Sequence, residues 1–335
     1  MMPTRNGHTR LLAIGMVVIT LWICPLTASA WWDPGHRLVA LIAWSRMDQK
    51  TRAATLKLLG QHPHARKYFT PPKEVRGETL RRQWVISQAA VWSDLVRKTD
   101  YDRPTWHYIN RPLFLSDRSR RLLGPRLPVN LATVVPRAAT LETGELNVIQ
   151  AIRLCRQKLS AADTSDTDRA LCVTWLCHMV GDVHQPCHST ATFTEARFPS
   201  GDRGGNDVPV QGTTKPINLH MYWDSQFGGG RTLSPDLMRR AATLLADPKL
   251  LAAGRQAQGQ LQAEVWVGES HRLARELVYS PAILEAIRRG EADAGKPIPP
   301  VGLSKNYARK AREVSRRRVV EAGFRLAQVL RDALQ

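Results

Sequence analysis

The amino-acid sequence predicts a mainly α-helical chain folded as a single multi-helical domain. Apolar residues recur at intervals of three and four through most of the length, the period of a half-buried helix. Alternating apolar–polar runs of strand length are scarce. No internal repeat and no low-complexity linker divides the 335 residues.

The chain opens with Arg5 and Arg10, an apolar run from Leu11 to Ile23, and small residues at Ala28, Ser29 and Ala30. This is the make-up of a secretory signal peptide with an A-x-A cleavage site, so residues 1–30 are set apart from the fold and export to a periplasm or beyond is expected. The run is too short, and too closely followed by that site, to span a membrane. Cys24 would suit a lipoprotein, but Ile23 stands where a small residue is required. Cleavage leaves 305 residues beginning at Trp31, enough for one large domain. It removes two arginines and no acid, so the net charge falls only from +19 to +17. Such a basic surface attracts polyanions, meaning nucleic acid or anionic membrane, although solubility alone is also served.

From His36 a helical stripe runs through Val39, Ile42, Ala43, Leu56 and Leu59, and Gly60 stops it. His62 and His64 follow among polar residues and are expected to be solvated. A helix is expected over 78–97, ending in AVWSDLVR, where Asp94 and Arg97 share a face. RPTWHYIN then reads as extended or loop. Residues 111–130, rich in Arg, Pro and Leu, read as a loop. Helical patterns cover 131–159 and 166–182. A polar loop with GDRGGNDV joins His188 to His220, and Gly204 and Gly205 permit tight turns and close backbone approach there. Further helical blocks cover 218–227, 234–245, 248–279 and 304–334. In the last, Val319, Val320, Phe324, Leu326, Val329 and Leu330 form a core stripe, and Arg316, Arg317 and Arg318 are expected on a solvated face. Cys155, Cys172, Cys177 and Cys187 remain after cleavage. Cys172 and Cys177 are five apart on one helix, roughly 7.5 Å along the axis, too far to bridge. The other pairings stay open.

The chemistry gathers in HMVGDVHQPCH, residues 178–188. His178 and Asp182 are four apart, which on a helix puts both side chains on one face about 6 Å apart. His188 follows after Gln185 and Pro186 have ended that helix. His220 and Asp224 in NLHMYWD repeat the spacing. Imidazole nitrogens and carboxylate oxygens are the mixed donor set that zinc accepts. A lone histidine would read as a satisfied core residue; two His-x3-Asp pairs with a third histidine read as a metal site.

These residues resemble the nuclease S-one/P-one family of single-strand-specific zinc nucleases. The similarity runs along almost the whole chain after the leader: WWDPGH, AVWSDLVR, WHYIN, HMVGDVHQPCH, DRGGN, NLHMYWD, WVGESHRLARELVY and EAGFRLAQVL. The resemblance implies a helical domain over 31–335 around a three-zinc cleft, of the kind phospholipase C and nuclease P-one share. By the same resemblance the first Zn2+ would take Asp94, His107, His178 and Asp182. The second would take His188, His220 and Asp224. The third would take Trp31, through a free α-amine and its carbonyl, with His36 and Asp182, which would bridge two ions. The family's zinc-dependent endonucleases hydrolyse single-stranded DNA and RNA to 5′-phosphate products and also act as 3′-nucleotidases. Asp94, Arg97 and Asp182 are thereby implied as catalytic, with Arg97 as the cation near the transition-state phosphate. Tyr108 would stack on a base, and Asn110 and Asn206 would contact its edge. His184 is not carried over as a ligand; packing is expected of it. The partners implied are single-stranded nucleic acid and 3′-nucleotides, for a monomer without stable membrane insertion. A zinc phospholipase C acting on phospholipid head groups is the alternative, although Asp224 stands where that family typically has glutamate. A non-enzymatic zinc or nucleic-acid module is the other.

Overall fold

The computed structural model describes residues 31–229 and 233–335. The expected signal peptide lies outside the described residues. Among them no helix is long and apolar enough to cross a membrane.

The structure is mostly helical, as predicted, and it is built around the Asp166–Asp182 helix. Ser165 caps that helix by accepting from Asp168 N–H. Every residue from Ala170 to Asp182 is buried, so its apolar residues run all round rather than on one stripe. Four helices wall it: Val148–Ser160, Gln49–Gly60, Lys305–Leu334 and Asp33–Arg46. The 30-residue Lys305–Leu334 helix lies along Asp33–Arg46 and Pro248–Gln258, closing the main core. A second, smaller core gathers Trp223, Tyr279, Ile283, Ile287 and Tyr307. Two small sheets stand beside it. Pro112–Phe114 pairs in parallel with Ala191–Phe193, and Pro209–Val210 pairs antiparallel with Ile217–Asn218.

Several local expectations are corrected, each for a local reason. The stripe from His36 to Gly60 is two helices, because Asp48 caps a new one by accepting from Thr51 N–H at 2.7 Å. The 78–97 segment is a helix over Glu78–Ala89 and a short turn over Trp92–Leu95. Residues 111–130 hold a strand and the Asp117–Leu123 helix, capped by Ser116. In 131–159 only Val148–Ser160 is helical. Asn147 starts it with a capping box, and the Asn147 amide pins the preceding loop through Asn130 O and Ala132 O. The 248–279 block breaks at Gly259, giving Pro248–Gln258 and Ala263–Leu273 with a π turn over Ala274–Val278. An unforeseen helix, Pro281–Ala292, follows with Pro281 in its first turn.

Two polar expectations also fail. His62 is buried, edge-on to Phe69 and Trp92, and burial pushes it down to about 3. His64 accepts from Trp92 Nε1, so this pair belongs to an aromatic cluster rather than to solvent. Arg316 and Arg317 do face water, but Arg318 is buried against Glu269 and Glu321. All four cysteines are buried free thiols, and burial with the neighbouring Cys172 pushes Cys155 well up.

Candidate metal centre

The centre is assembled at the C-terminal end of the Asp166–Asp182 helix. His178 and Asp182 stand one turn apart there, both fully buried. His107 arrives on a 3-10 turn, Pro104–His107, and its Nδ1 lies 2.9 Å from Asp182 Oδ2 and 3.0 Å from His178 Nε2. Asp94 comes from the Trp92–Leu95 turn, with Oδ2 3.9 Å from His178 Nε2. Arg97 clasps the other Asp94 oxygen through Nε at 3.0 Å and Nη2 at 2.7 Å. Both side chains are largely covered, so this is not a surface ion pair.

His36 is laid against the cluster by the N-terminal helix. Its ring stacks on His178 with centroids 3.9 Å apart, and its Nε2 lies 3.4 Å from Asp182 Oδ1. Gly181 makes this approach possible, since a Cβ there would come within 2.7 Å of His36 Nδ1. Trp31 is fully buried, its indole donating to Gly181 O at 3.1 Å. The next amide, Trp32 N–H, donates to Asp224 O at 3.1 Å, tying the start of the described chain to the second group.

That second group is His188, His220 and Asp224. His188 follows Pro186 on a 3-10 turn, and the Leu219–Asp224 helix presents the other two. His188 Nδ1 donates to His107 O at 2.7 Å, and His220 Nδ1 donates to Gly204 O at 2.8 Å. With each ring's proton so committed, both Nε2 atoms present lone pairs, yet they face each other at 2.9 Å. Asp224 Oδ2 lies 3.6 Å from His220 Nε2 and has no hydrogen-bond partner. His178 has the same build, with Nδ1 on Ala90 O at 2.7 Å and Nε2 turned inward. Backbone carbonyls that fix the outer nitrogen are the usual support of metal-ligating histidines.

Charge points the same way. Burial pushes His178 down to about 3 and His188 to about 4, and it holds His220 well below the usual imidazole range. These rings are therefore neutral near pH 7 and cannot share a proton between their lone pairs. Burial would raise Asp94 and Asp182, but His178 and the other surrounding imidazoles, with Arg97 on Asp94, outweigh it and hold both carboxyls down. Asp224 goes the other way, raised by burial and by the charges of Asp182 and Asp94. Three buried carboxyl groups thus face one guanidinium, and the donor atoms fit cations. Among the described residues three groups qualify, the first two sharing His178: His36–Asp94–His178, His107–His178–Asp182 and His188–His220–Asp224.

The residues expected to contact substrate sit on two segments that adjoin the second group. Tyr108 is about one-third exposed, and Asn110 is half-buried two residues on. Both sit on a strip held to the second group by Ile109 N–H to His188 O at 2.8 Å. Asn206 is half-buried in the DRGGN loop, its amide donating to Arg203 O. That loop lies on the His188 turn: a Cβ on Gly204 would come within 2.4 Å of Cys187 O, and Gly204 has a φ of +65°.

Supporting residues escaped the sequence reading. Gln185 donates to Asp224 Oδ1 at 2.6 Å. Asp202, fully buried, accepts from Thr192 N–H and from the Tyr279 hydroxyl at 2.7 Å, bracing the loop whose Gly204 carbonyl orients His220. Burial pushes Asp202 up to about 6. Gln185 lay inside the central motif and was within reach; Asp202 needed the fold. His184, inside the same motif, turns away: its Nδ1 donates to Val180 O, and Arg325 donates to its Nε2 at 2.8 Å.

Comparison with known proteins completes the description. The S1/P1 Nuclease family profile matches residues 31–335. Endonuclease 2 of Arabidopsis thaliana is 24% identical over 216 residues, 64% of this chain and 62% of that protein. Endonuclease 4 of the same plant is 27% identical over 205 residues, 59% of this chain and 55% of that protein. The chain therefore spans less than two thirds of the length of these relatives.

Proposed function

The chain belongs to the S1/P1 nuclease family, and from that premise we propose that residues 31–335 form a zinc-dependent phosphodiesterase. It would cleave single-stranded DNA and RNA to 5′-phosphate products and remove 3′-phosphates from nucleotides. The observation that carries the metal requirement is the pair of imidazole lone pairs, His188 Nε2 and His220 Nε2, meeting at 2.9 Å with both ring protons committed elsewhere. Such an arrangement repels unless a cation lies between.

Three Zn2+ would be held by the groups described, with Asp182 shared between two of them. Trp31 would add its α-amine once a leader ending at Ala30 is removed, which makes export part of the proposal. Bound zinc supplies Lewis acidity toward phosphoryl oxygens and an acidified water. The remaining work falls to the chain itself. The carbonyls of Ala90, His107 and Gly204 keep the outer imidazole protons, so the inner nitrogens stay available as donors. Gln185 fixes the rotamer of Asp224. Arg97, aligned by Asp94, stands ready to meet charge developing on the phosphoryl oxygens. Tyr108 offers a face for base stacking, with Asn110 and Asn206 toward the base edge. A base held this way must leave a duplex stack, so single strands are preferred.

The test is zinc content together with product ends on single-stranded DNA, with matched duplex and lecithin as parallel substrates. Three zinc ions per chain and 5′-phosphate ends, with a poorer rate on duplex, are expected. Equal rates on duplex and single strand would remove the base-contact reading. Turnover of lecithin without DNA cleavage would replace a nuclease with a phospholipase.

A further inference from the structure

Beyond the candidate metal centre, the guanidinium groups of Arg111, at the end of the strip that carries Tyr108 and Asn110, and of Arg275 stand without side-chain partners among the described residues. Arg111 closes that strip, its carbonyl accepting from Ala191 N–H at 3.0 Å. The Ala263–Leu273 helix packs against the Pro186–Ser189 turn, so its face lies next to the His188 end of the cleft. On this helix His271 is anchored through Nδ1 to Thr190 Oγ1 at 2.9 Å. Arg111 reaches across it: a Cβ on Gly268 would lie 3.8 Å from Arg111 Nη1. Arg275 stands one turn after His271 on the same helical run.

Burial first, then the charges of Arg111 and Arg275, push His271 down to about 4, so the imidazole stays neutral. Neither guanidinium makes a side-chain hydrogen bond or ion pair among the described residues. Arg97, Arg318 and Arg325 are by contrast each bonded to a carboxylate. Two like charges that both act on one fixed, neutral ring, neither ion-paired among the described residues, make a place for an external anion. Arginine pairs of this kind suit the oxygens of a phosphate.

We propose that Arg111 and Arg275, spaced by the anchored His271, form a subsite for an unreacted phosphodiester of a single-stranded polynucleotide whose neighbouring linkage lies in the metal cleft. Thr190 is two residues beyond His188, at most about 7 Å of chain. That reach corresponds to about one or two phosphate steps of a strand, each at least about 3.4 Å. The subsite gives longer strands an advantage over a dinucleotide, whose single phosphate occupies the cleft. The inference rests on the nuclease reading of the cleft and adds a distinct binding element to it.

The experiment compares kcat/KM of the zinc-loaded protein on dithymidylate and octathymidylate over a range of salt. The parent is expected to favour the octamer, with a rate that falls as salt rises. In an Arg111→Gln, Arg275→Gln double variant the octamer-to-dimer ratio should fall about tenfold, and the slope of log rate against log salt should flatten by about 0.7, the value for one phosphate contact on a single strand. Zinc content is measured alongside, and the Arg111→Lys, Arg275→Lys variant, which keeps both charges, should recover most of the slope. A glutamine double variant that loads zinc and keeps the parent's slope and ratio would overturn the subsite alone. A zinc-loaded parent that cleaves neither substrate would overturn the nuclease reading and the subsite with it.

Discussion

The turn from Asp182 to His188 separates two buried polar clusters. On one side lies the candidate metal centre, where Asp94, Asp182 and Asp224 face Arg97 and a set of imidazoles. On the other side Glu269 receives Arg325 Nη1 and Nη2 at 2.7 and 2.8 Å and Arg318 Nη1 at 2.6 Å. Glu321 accepts from Arg318 at 2.7 Å, and Ser270 Oγ accepts from Arg318 and donates to Val183 O at 2.6 Å. Arg318 also donates to His184 O, and Arg325 donates to the His184 ring. The second cluster balances its own charges and donors. The first leaves lone pairs facing each other and a surplus of carboxylate. Burying charge is tolerated only when it is paired, so the cluster the protein completes is structural, and the one it leaves incomplete is where a ligand is required. The structural cluster grips Val183 and His184 from behind while Asp182 and His188 face the other candidate ligands, so it holds that turn in place.

The largest effect expected from breaking this contrast comes from Asp182→Asn. Asp182 touches His36, His107 and His178 at 3.4, 2.9 and 3.3 Å, and an amide brings neither the charge nor two equivalent acceptor oxygens. Turnover on single-stranded DNA should fall about a thousandfold, roughly 4 kcal/mol in barrier. Retention of more than about a tenth of the parent rate, roughly 1.4 kcal/mol, would sink the shared-ligand role.

On the other side of the turn, Glu269→Gln should leave zinc stoichiometry intact but cost about 3 kcal/mol of stability, because among the described residues Arg325 loses its carboxylate partner and Arg318 keeps only Glu321. Denaturant unfolding of the zinc-loaded variant measures this. Loss of zinc with unchanged stability would reverse the assignment of the two clusters.

The two clusters also differ in how far the sequence revealed them. The cleft was legible because its ligands sit in short motifs: His178 with Asp182, and His220 with Asp224, are set by helical spacing, and Pro186 marks the turn to His188. The central helix was legible to the residue, with Ser165 before it and a largely apolar run inside. The structural cluster joins Glu269 to Arg318 and Arg325 across 49 and 56 residues, and Arg318 looks from sequence like part of a solvated arginine run. No local period encodes a pairing of that kind. Residues 131–147 failed differently. Leu131, Val134, Val135 and Ala139 mimic a helical stripe, but Pro136 and the Asn147 capping box delay the helix to Val148. His62 failed because the rings that bury it, Phe69 and Trp92, come from beyond its own loop.

The smallest effect is a difference in pH window, and it tests whether the structural cluster owes its strength to charge. Burial alone would raise the Glu269 carboxyl; hydrogen bonds and charge from Arg325 and Arg318 reverse this and hold it at about 2, against 4.5 for an ordinary glutamate. A carboxyl held lower in the folded state than in the unfolded one stabilises fully above its unfolded value, and that stabilisation is lost as pH falls through the folded value. The window for Glu269 therefore lies below 4.5 and closes near 2. In the zinc-free cleft His178 and His188 titrate at about 3 and about 4 instead of 6.5, so the unfolded chain takes up their protons first. Stability is lost there as soon as pH drops below about 6.5. Zinc-free parent and Glu269→Gln should therefore lose stability in parallel between about pH 7 and about pH 5, keeping a constant gap, and the gap should narrow only below about pH 4.5. Urea unfolding of both proteins across that range measures the gap. A gap that already closes between about pH 7 and about pH 5 would mean that Glu269 is not held down by its two arginines, and that packing rather than charge braces the turn.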